Sequence, residues 1–435
     1  MKTSFWLMFT AFPRRLSYLF RLKRLKLNFL LVLLVFIGII GAIALSNPLP
    51  ISATEVKLAT ILPQADRAVL FYFDGLHPEA IDRFNLPNLK RLQAEGTTVE
   101  KAIMTFPWHS TTGAYGEIHT TSLPNPITMA GNLFLRPNQK MLQDMFPRNI
   151  NTVIATGSKA YDSIASGFEI VNLLDVSDAE LTDIILETLE RHDPKFYRIQ
   201  LQDVGRAGFK VINATDGTPW QADIWHPDSP YEEAAREADR QLGRFIAKME
   251  ELGRWDNTFF VFMADGQSRY GWHVPMDEES WQTPMIFHGA NVKAGYTIPY
   301  AEIIDVVPTI ARVLGVEPPN SGSGSGRVLE EIFINEPEIE PNLSRGMLRL
   351  NEQIKEYLLL TAELRLLSVS DPRADNILMR ERNARIDNTP PFLGIEQIDR
   401  WYEAESFEGL LERNEAALEY LREQLIRFKA KTISG

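Results

Sequence analysis

Short apolar runs that stop at an aspartate constrain this chain more than any other feature. Ala68–Phe73 (AVLFYF) and Thr258–Met263 (TFFVFM) are almost wholly apolar and short, the pattern of strands buried on both faces. Phe196–Leu201 reads as a third strand, and Asn151–Ala155 and Pro284–His288 as two more. Between them lie helical patterns. Pro78–Phe84 and Pro87–Glu95 read as helical turns stopped by Gly96, and Asp178–Arg191 carries Leu181, Ile184, Ile185 and Leu189 on one face. Tyr231–Leu252 is a long charged helix, and Ile303–Leu314 a helix ended by Gly315. Such alternation predicts an α/β fold, a mainly parallel sheet sandwiched by helices.

In open parallel sheets functional groups gather past the carboxyl ends of the strands. Three of the strands run into Asp74, Asp203 and Asp265. Three carboxylates at one sheet edge repel one another unless a cation neutralises them, so a metal site is the expectation. Met104–Tyr115 (MTFPWHSTTGAY) brings Thr105, His109, Ser110, Thr111 and Thr112 just ahead of a helical stretch, where a hydroxyl nucleophile would meet an anion at a helix N-terminus. Asp265–His273 (DGQSRYGWH) puts His273 close enough in the chain to fold back toward Asp265.

The ends of the chain differ from this body. Residues 1–27 hold seven Lys or Arg and no acid. Phe29–Leu45 is an uncharged apolar run of 17 residues, near the lower limit for crossing a bilayer core. The domain plan expected is a basic cytoplasmic segment over 1–27, a transmembrane signal-anchor over 28–46, a linker over 47–65, the α/β domain over 66–335 and a helical region over 336–435. Basic flanks stay on the cytoplasmic side, so the expectation is a single-pass membrane protein with its body outside the cytoplasm, periplasmic or at the cell surface, with a cleaved signal peptide as the alternative fate of the segment. Beyond the first 27 residues, 38 basic residues face 57 acidic ones, a net charge of −19, which argues against binding nucleic-acid polymers. There is no cysteine, hence no disulfide scaffold and no thiolate ligand or nucleophile. Ser344–Leu367, Ile395–Ala404 and Leu410–Lys429 have helical periodicity and read as an appendage that packs on the main domain or mediates assembly.

Several of these segments carry a family resemblance. AVLFYFDGLHPEAIDRFNLPNLKRLQAEGTTVEKA, TFPWHSTTG, Gly131-Asn132, the stretch from Ser229 to Gly266, ESWQTPMIFHGANVKAG and AEIIDVVPTIARVLGV follow one another as in the alkaline phosphatase superfamily, type I phosphodiesterase/nucleotide pyrophosphatase branch. The resemblance spans about Asp66–Phe333. It implies two divalent metals flanking a nucleophile, with Asp74, Asp203, Asp265 and His273 as ligands, Thr105 as the nucleophile and His109 in support.

The chain also departs from the family. The histidines of the Asp-x-x-x-His and Asp-His motifs should fall at Ala207 and Gly266. Zinc favours imidazole and magnesium or manganese favours oxygen, so the metal, Zn, Mn or Mg, stays open. Gln267, Ser268 or His226 could complete the set. A sulfatase formylglycine motif, Cys/Ser-x-Pro-x-Arg, is absent. The expected activity is hydrolysis of a phosphate mono- or diester. The alternatives are transfer of a phosphoryl-linked headgroup within the envelope, or a non-catalytic envelope protein of the same fold.

Overall fold

The computed structural model describes residues 64–104, 112–121, 140–147, 152–320, 326–334, 336, 346–383, 392 and 408–433. All of these belong to a compact unit spanning Thr60–Gly435. Residues 28–46 lie outside the described residues, and among the described residues no helix is long and apolar enough to cross a membrane.

Nine strands form one sheet: β1 (Arg67–Phe73), β2 (Thr97–Ile103), β3 (Thr152–Thr156), β4 (Ile170–Leu173), β5 (Phe196–Leu201), β6 (Thr258–Met263), β7 (Gln282–Thr283), β8 (Met285–His288) and β9 (Tyr296–Glu302). Their order is β4-β3-β5-β1-β6-β8-β2-β7, with β9 beside β2. The half from β4 to β6 is parallel. β8 runs antiparallel to both β6 and β2, whereas β9 is parallel to β2. The sheet is therefore mainly parallel but mixed. The extra strands are β2, β4, β7 and β9: exposed residues blur the apolar signal of β2, β4 and β9, and β7 is only two residues long.

The principal helices are α1 (Pro87–Glu95), α2 (Thr112–Thr120), α3 (Asp178–Arg191), α4 (Asp203–Ile212), α5 (Pro230–Glu251), α6 (Val306–Leu314), α7 (Gly346–Ser368), α8 (Arg373–Arg382) and α9 (Glu408–Ile433). The stretch Ile303–Leu314 begins as a single 3-10 turn, Ile303–Asp305, before α6. α3 starts with a capping box in which Ser177 and Glu180 exchange hydrogen bonds. α5 starts with Ser229 as cap and Pro230 as its first residue.

Strand alternation sends successive side chains to opposite faces, so the sheet has two cores. On one face Phe71, Phe73, Ile199 and Leu201 meet Leu89, Leu181, Leu242 and Phe245 of α1, α3 and α5. On the other, Tyr72, Ile154 and Phe259 join Tyr115 of α2, Ile310 of α6, Met347, Leu350 and Ile354 of α7 and Leu418 of α9. Each fully buried side chain of this size contributes about 1.5–3 kcal/mol. The helical end of the chain therefore completes the main core, and a smaller cluster ties α7, α8 and α9 to one another through Leu364, Ile377, Leu378 and Leu421.

Candidate active site

The parallel register sets the site. Phe73 pairs with Leu201, and Tyr72 with Met263. Continued to the strand ends, that register puts Asp74 level with Gln202 and Asp265. The carboxyl groups of Asp74 and Asp265 lie within hydrogen-bond reach of one another, both almost wholly buried. Burial first, and then the Asp265 carboxylate, push Asp74 well above the usual carboxylate range. Asp265 Oδ1 accepts the backbone N–H of Gly75 at 2.6 Å, and Oδ2 lies 3.2 Å from His273 Nε2. His273 is buried, and its Nδ1 has no hydrogen-bond partner among the described residues.

Asp74 is surrounded by side-chain donors. Its Oδ1 accepts from the hydroxyls of Tyr115 (3.2 Å) and Tyr161 (3.3 Å) and from Gln200 Nε2 (3.0 Å). Its Oδ2 accepts a short hydrogen bond from Gln202 Nε2. Gln200 Oε1 in turn takes a 2.6 Å bond from Arg198 Nη2. Arg198 is fully buried. Its guanidinium lies 4.9, 4.8 and 5.6 Å from the ring centres of Tyr72, Tyr115 and Tyr161, and its Nε donates to His119 Nε2 at 2.9 Å. Burial, with Arg198 alongside, holds His119 well below the ordinary histidine range, which suits a neutral acceptor.

Arg198, Gln200 and Gln202 were not anticipated as site residues, although a signal for them exists. Two-residue spacing puts all three on one face of β5, with Tyr197, Ile199 and Leu201 on the other. A charged and amide stripe on a strand flanked by β1 and β3 has to meet polar partners inside the molecule. Tyr115 comes from α2 and Tyr161 from the 3-10 turn Lys159–Tyr161, both distant in the chain, and neither carries such a signal.

The other expected site residues fall apart spatially. Asp203 sits one residue beyond the level of Asp74 and opens α4 instead of facing the Asp pair. Its Oδ2 accepts from Asp178 N–H (2.9 Å) and its Oδ1 from Arg206 Nη1 (2.7 Å), while Asp178 Oδ1 accepts the N–H groups of Gln202 (2.6 Å) and Asp203 (3.2 Å). His226 serves the turn before α5, its Nδ1 accepting from Asp228 N–H at 3.1 Å. Gln267 is buried in the space that a side chain at Gly208 would need. Ser268 donates to Asp277 at 2.5 Å. Thr105, His109, Ser110, Thr111, Gly131 and Asn132 lie outside the described residues. Met104, directly before Thr105, is described. Its N–H donates to Trp281 O at 2.9 Å and its carbonyl accepts from Asn351 Nδ2 of α7 at 2.7 Å.

Fold and sheet edge together define an α/β domain of the alkaline-phosphatase kind. Residues 131–316 match the family model described as Sulfatase. The multifunctional alkaline phosphatase superfamily protein PehA of Trinickia caryophylli is 35% identical over 100 residues, a match that spans 20% of this chain and 19% of PehA. Phosphonate monoester hydrolase SpPMH from Silicibacter pomeroyi superposes with a TM-score of 0.53 at 16% identity, over 63% of this chain and 78% of the other. A structure solved in complex with its substrate D-glucosamine-2-N,6-O-disulfate superposes with a TM-score of 0.50 at 14% identity, over 64% and 82%. At such identities the superpositions speak for the fold alone. Over residues 131–316 the chain is thus similar to the sulfatase/alkaline phosphatase superfamily, the superfamily its sequence resembles.

Hydrolases of this superfamily generally use divalent metals. The described residues do not fit such a centre. No three His, Asp or Glu side chains among them converge as ligands. Asp203 is turned to Asp178 and Arg206. At position 266 the backbone has φ +82°, and a Cβ there would collide with the Ser280 carbonyl oxygen and come within 2.6 Å of the Met104 sulfur. The turn therefore has no room for the imidazole that the family places there.

Proposed function

We propose that the protein is a membrane-anchored, extracytoplasmic hydrolase of phosphate mono- or diesters that uses Thr105 as its nucleophile. The observation that carries this reading is Asp265 at the carboxyl end of β6, within reach of Asp74 at the end of the adjacent β1 and 3.2 Å from His273. The anchor is read from the basic segment 1–27 and the apolar run after it. In this reading the Thr105 hydroxyl oxygen forms a bond to phosphorus, the ester oxygen departs, and water releases the phosphoryl group from the threonine. Asp265 lies beside His273, whose Nδ1, without a hydrogen-bond partner among the described residues, offers an acceptor for a hydroxyl proton. PehA, as a multifunctional superfamily protein, and SpPMH, as a phosphonate monoester hydrolase, support an ester of a tetrahedral oxyanion as substrate. A panel of aryl phosphate, phosphonate and sulfate esters tests the reading, with Thr105→Ala and His273→Ala beside the unaltered protein. Turnover that both variants retain would sink it.

A second reading is favoured by one specific observation, the four side-chain donors already seated on Asp74. It makes the domain a non-catalytic envelope protein that keeps the superfamily fold. Under it the whole ester panel returns no turnover, yet the protein stays folded and monodisperse.

A further inference from the structure

The hydrogen bonds around Asp74 can be counted. An ionised carboxylate has about four lone-pair positions in its plane. Tyr115, Tyr161 and Gln200 aim at Oδ1, and Gln202 aims at Oδ2. Tyr115 and Gln200 already fill the two positions on Oδ1, even with the Tyr161 hydroxyl turned to Gln202 Oε1 at 3.0 Å, so a cation would reach that oxygen only by displacing a donor. The approach to Oδ2 is also closed from the side, because the helix backbone at Gly205 runs so near that a Cβ there would land on this oxygen. Gly75 packs on the same glycine, its own missing Cβ 2.8 Å from Gly205 Cα.

A buried pair of acids still needs a counter-charge. The chain supplies one from within. Arg198 is fully buried and reaches Asp74 through three intermediaries: the Gln200 amide, and the rings of Tyr115 and Tyr161, which lie over the guanidinium while their hydroxyls donate to Asp74. Each intermediary is itself buried, so water screens the arrangement little.

We propose that this sheet edge is organised without divalent metal, with the Arg198–Gln200–Tyr115–Tyr161 network holding Asp74 in the place where metal coordination would otherwise hold it. The inference concerns the site named under the proposed function and does not depend on whether that site turns over substrate.

The test is metal content. The full chain, purified in detergent without chelator, is dialysed separately against Zn, Mn, Mg and Ca, passed through gel filtration and measured by elemental analysis. The expected result is below about 0.2 equivalents of each ion, with a melting temperature that EDTA shifts by less than about 1 °C. One or two equivalents that survive gel filtration and disappear in both Asp74→Asn and His273→Ala would overturn the proposal. Metal retained equally by the unaltered protein and both variants lies elsewhere and leaves the proposal standing. Because two variants on opposite sides of the acid pair are compared, misfolding of one does not decide the outcome. Ester turnover is scored separately on the same samples. Absent turnover with absent metal removes the hydrolase reading alone, and turnover with bound metal removes this inference alone.

Discussion

Two of the acid groups buried among the described residues are satisfied by opposite means. At the sheet edge, Asp74 is held by side chains: two tyrosines, two glutamines and, behind them, Arg198. At the β9–α6 corner, Glu302 and Asp305 are held largely by backbone. Asp305 accepts the N–H groups of Glu302 and Arg327, both at 2.9 Å, and Glu302 accepts Met347 N–H (2.9 Å) beside the Tyr300 hydroxyl (2.7 Å). Arg327 pairs there with Glu331. The corner is a fastener: Met347 opens α7, so Glu302 pins the helical end of the chain to the sheet. Backbone donors cost no side-chain freedom and tolerate sequence change. The sheet edge needs five particular side chains from three separate segments, an expense of ordering that a purely structural contact has no reason to carry.

Four perturbations would break or sharpen that contrast. The largest effect is expected from Arg198→Met, which leaves the acid pair without its buried counter-charge and should cost about 3–5 kcal/mol in urea unfolding. The corresponding change at the corner, Arg327→Met, should cost less because Arg327 is partly exposed.

Next is a pH effect. Burial first, and then the neighbouring Asp305, push Glu302 up to about 8 from an ordinary 4.5, and burial pushes Asp305 up to about 6. The folded state therefore holds the Glu302 proton more tightly than the unfolded chain. That stabilisation is complete below about pH 4.5 and fades as pH rises through about 8. Between pH 5 and 8.5 the Glu302 share of stability should fall by roughly 2–4 kcal/mol, and Glu302→Gln should flatten the dependence. An unchanged slope in that variant would assign the pH dependence to another group.

Third, Gly205→Ala should cost about 1–3 kcal/mol, since the new methyl falls on Asp74 Oδ2. Gly409→Ala is the matching control, a helical position where the new methyl meets only the Arg413 guanidinium at 4.0 Å. The smallest effect is expected from Asn351→Ala, about 1–2 kcal/mol from the orphaned Met104 carbonyl, read by chemical denaturation.

Much of the fold could be read from residue order because the central strands are short, apolar and bounded by turn residues. β5, β6 and α3 fall where periodicity puts them. β2 and β9 escaped because exposed residues such as Glu100 and Thr297 interrupt their apolar pattern. The site was legible only in part. Asp74 and Asp265 meet as their strand ends imply, with His273 folded back onto Asp265. Asp203 does not join them, because one residue of register is enough to send a side chain into a helix start. The tyrosines could not be foreseen, since what brings Tyr115 and Tyr161 to Asp74 is the packing of one sheet face and not any local spacing.

The bond from Asn351 to the Met104 carbonyl joins residues 247 positions apart. During synthesis the strand leading to Thr105 emerges long before the helix that steadies it, and the loop between them closes late. Chains released before Asn351 would carry every strand of the sheet and still present an unfastened β2 exit. The helical end of the chain thus steadies the exit of β2, the stretch that leads to Thr105, from far along the sequence.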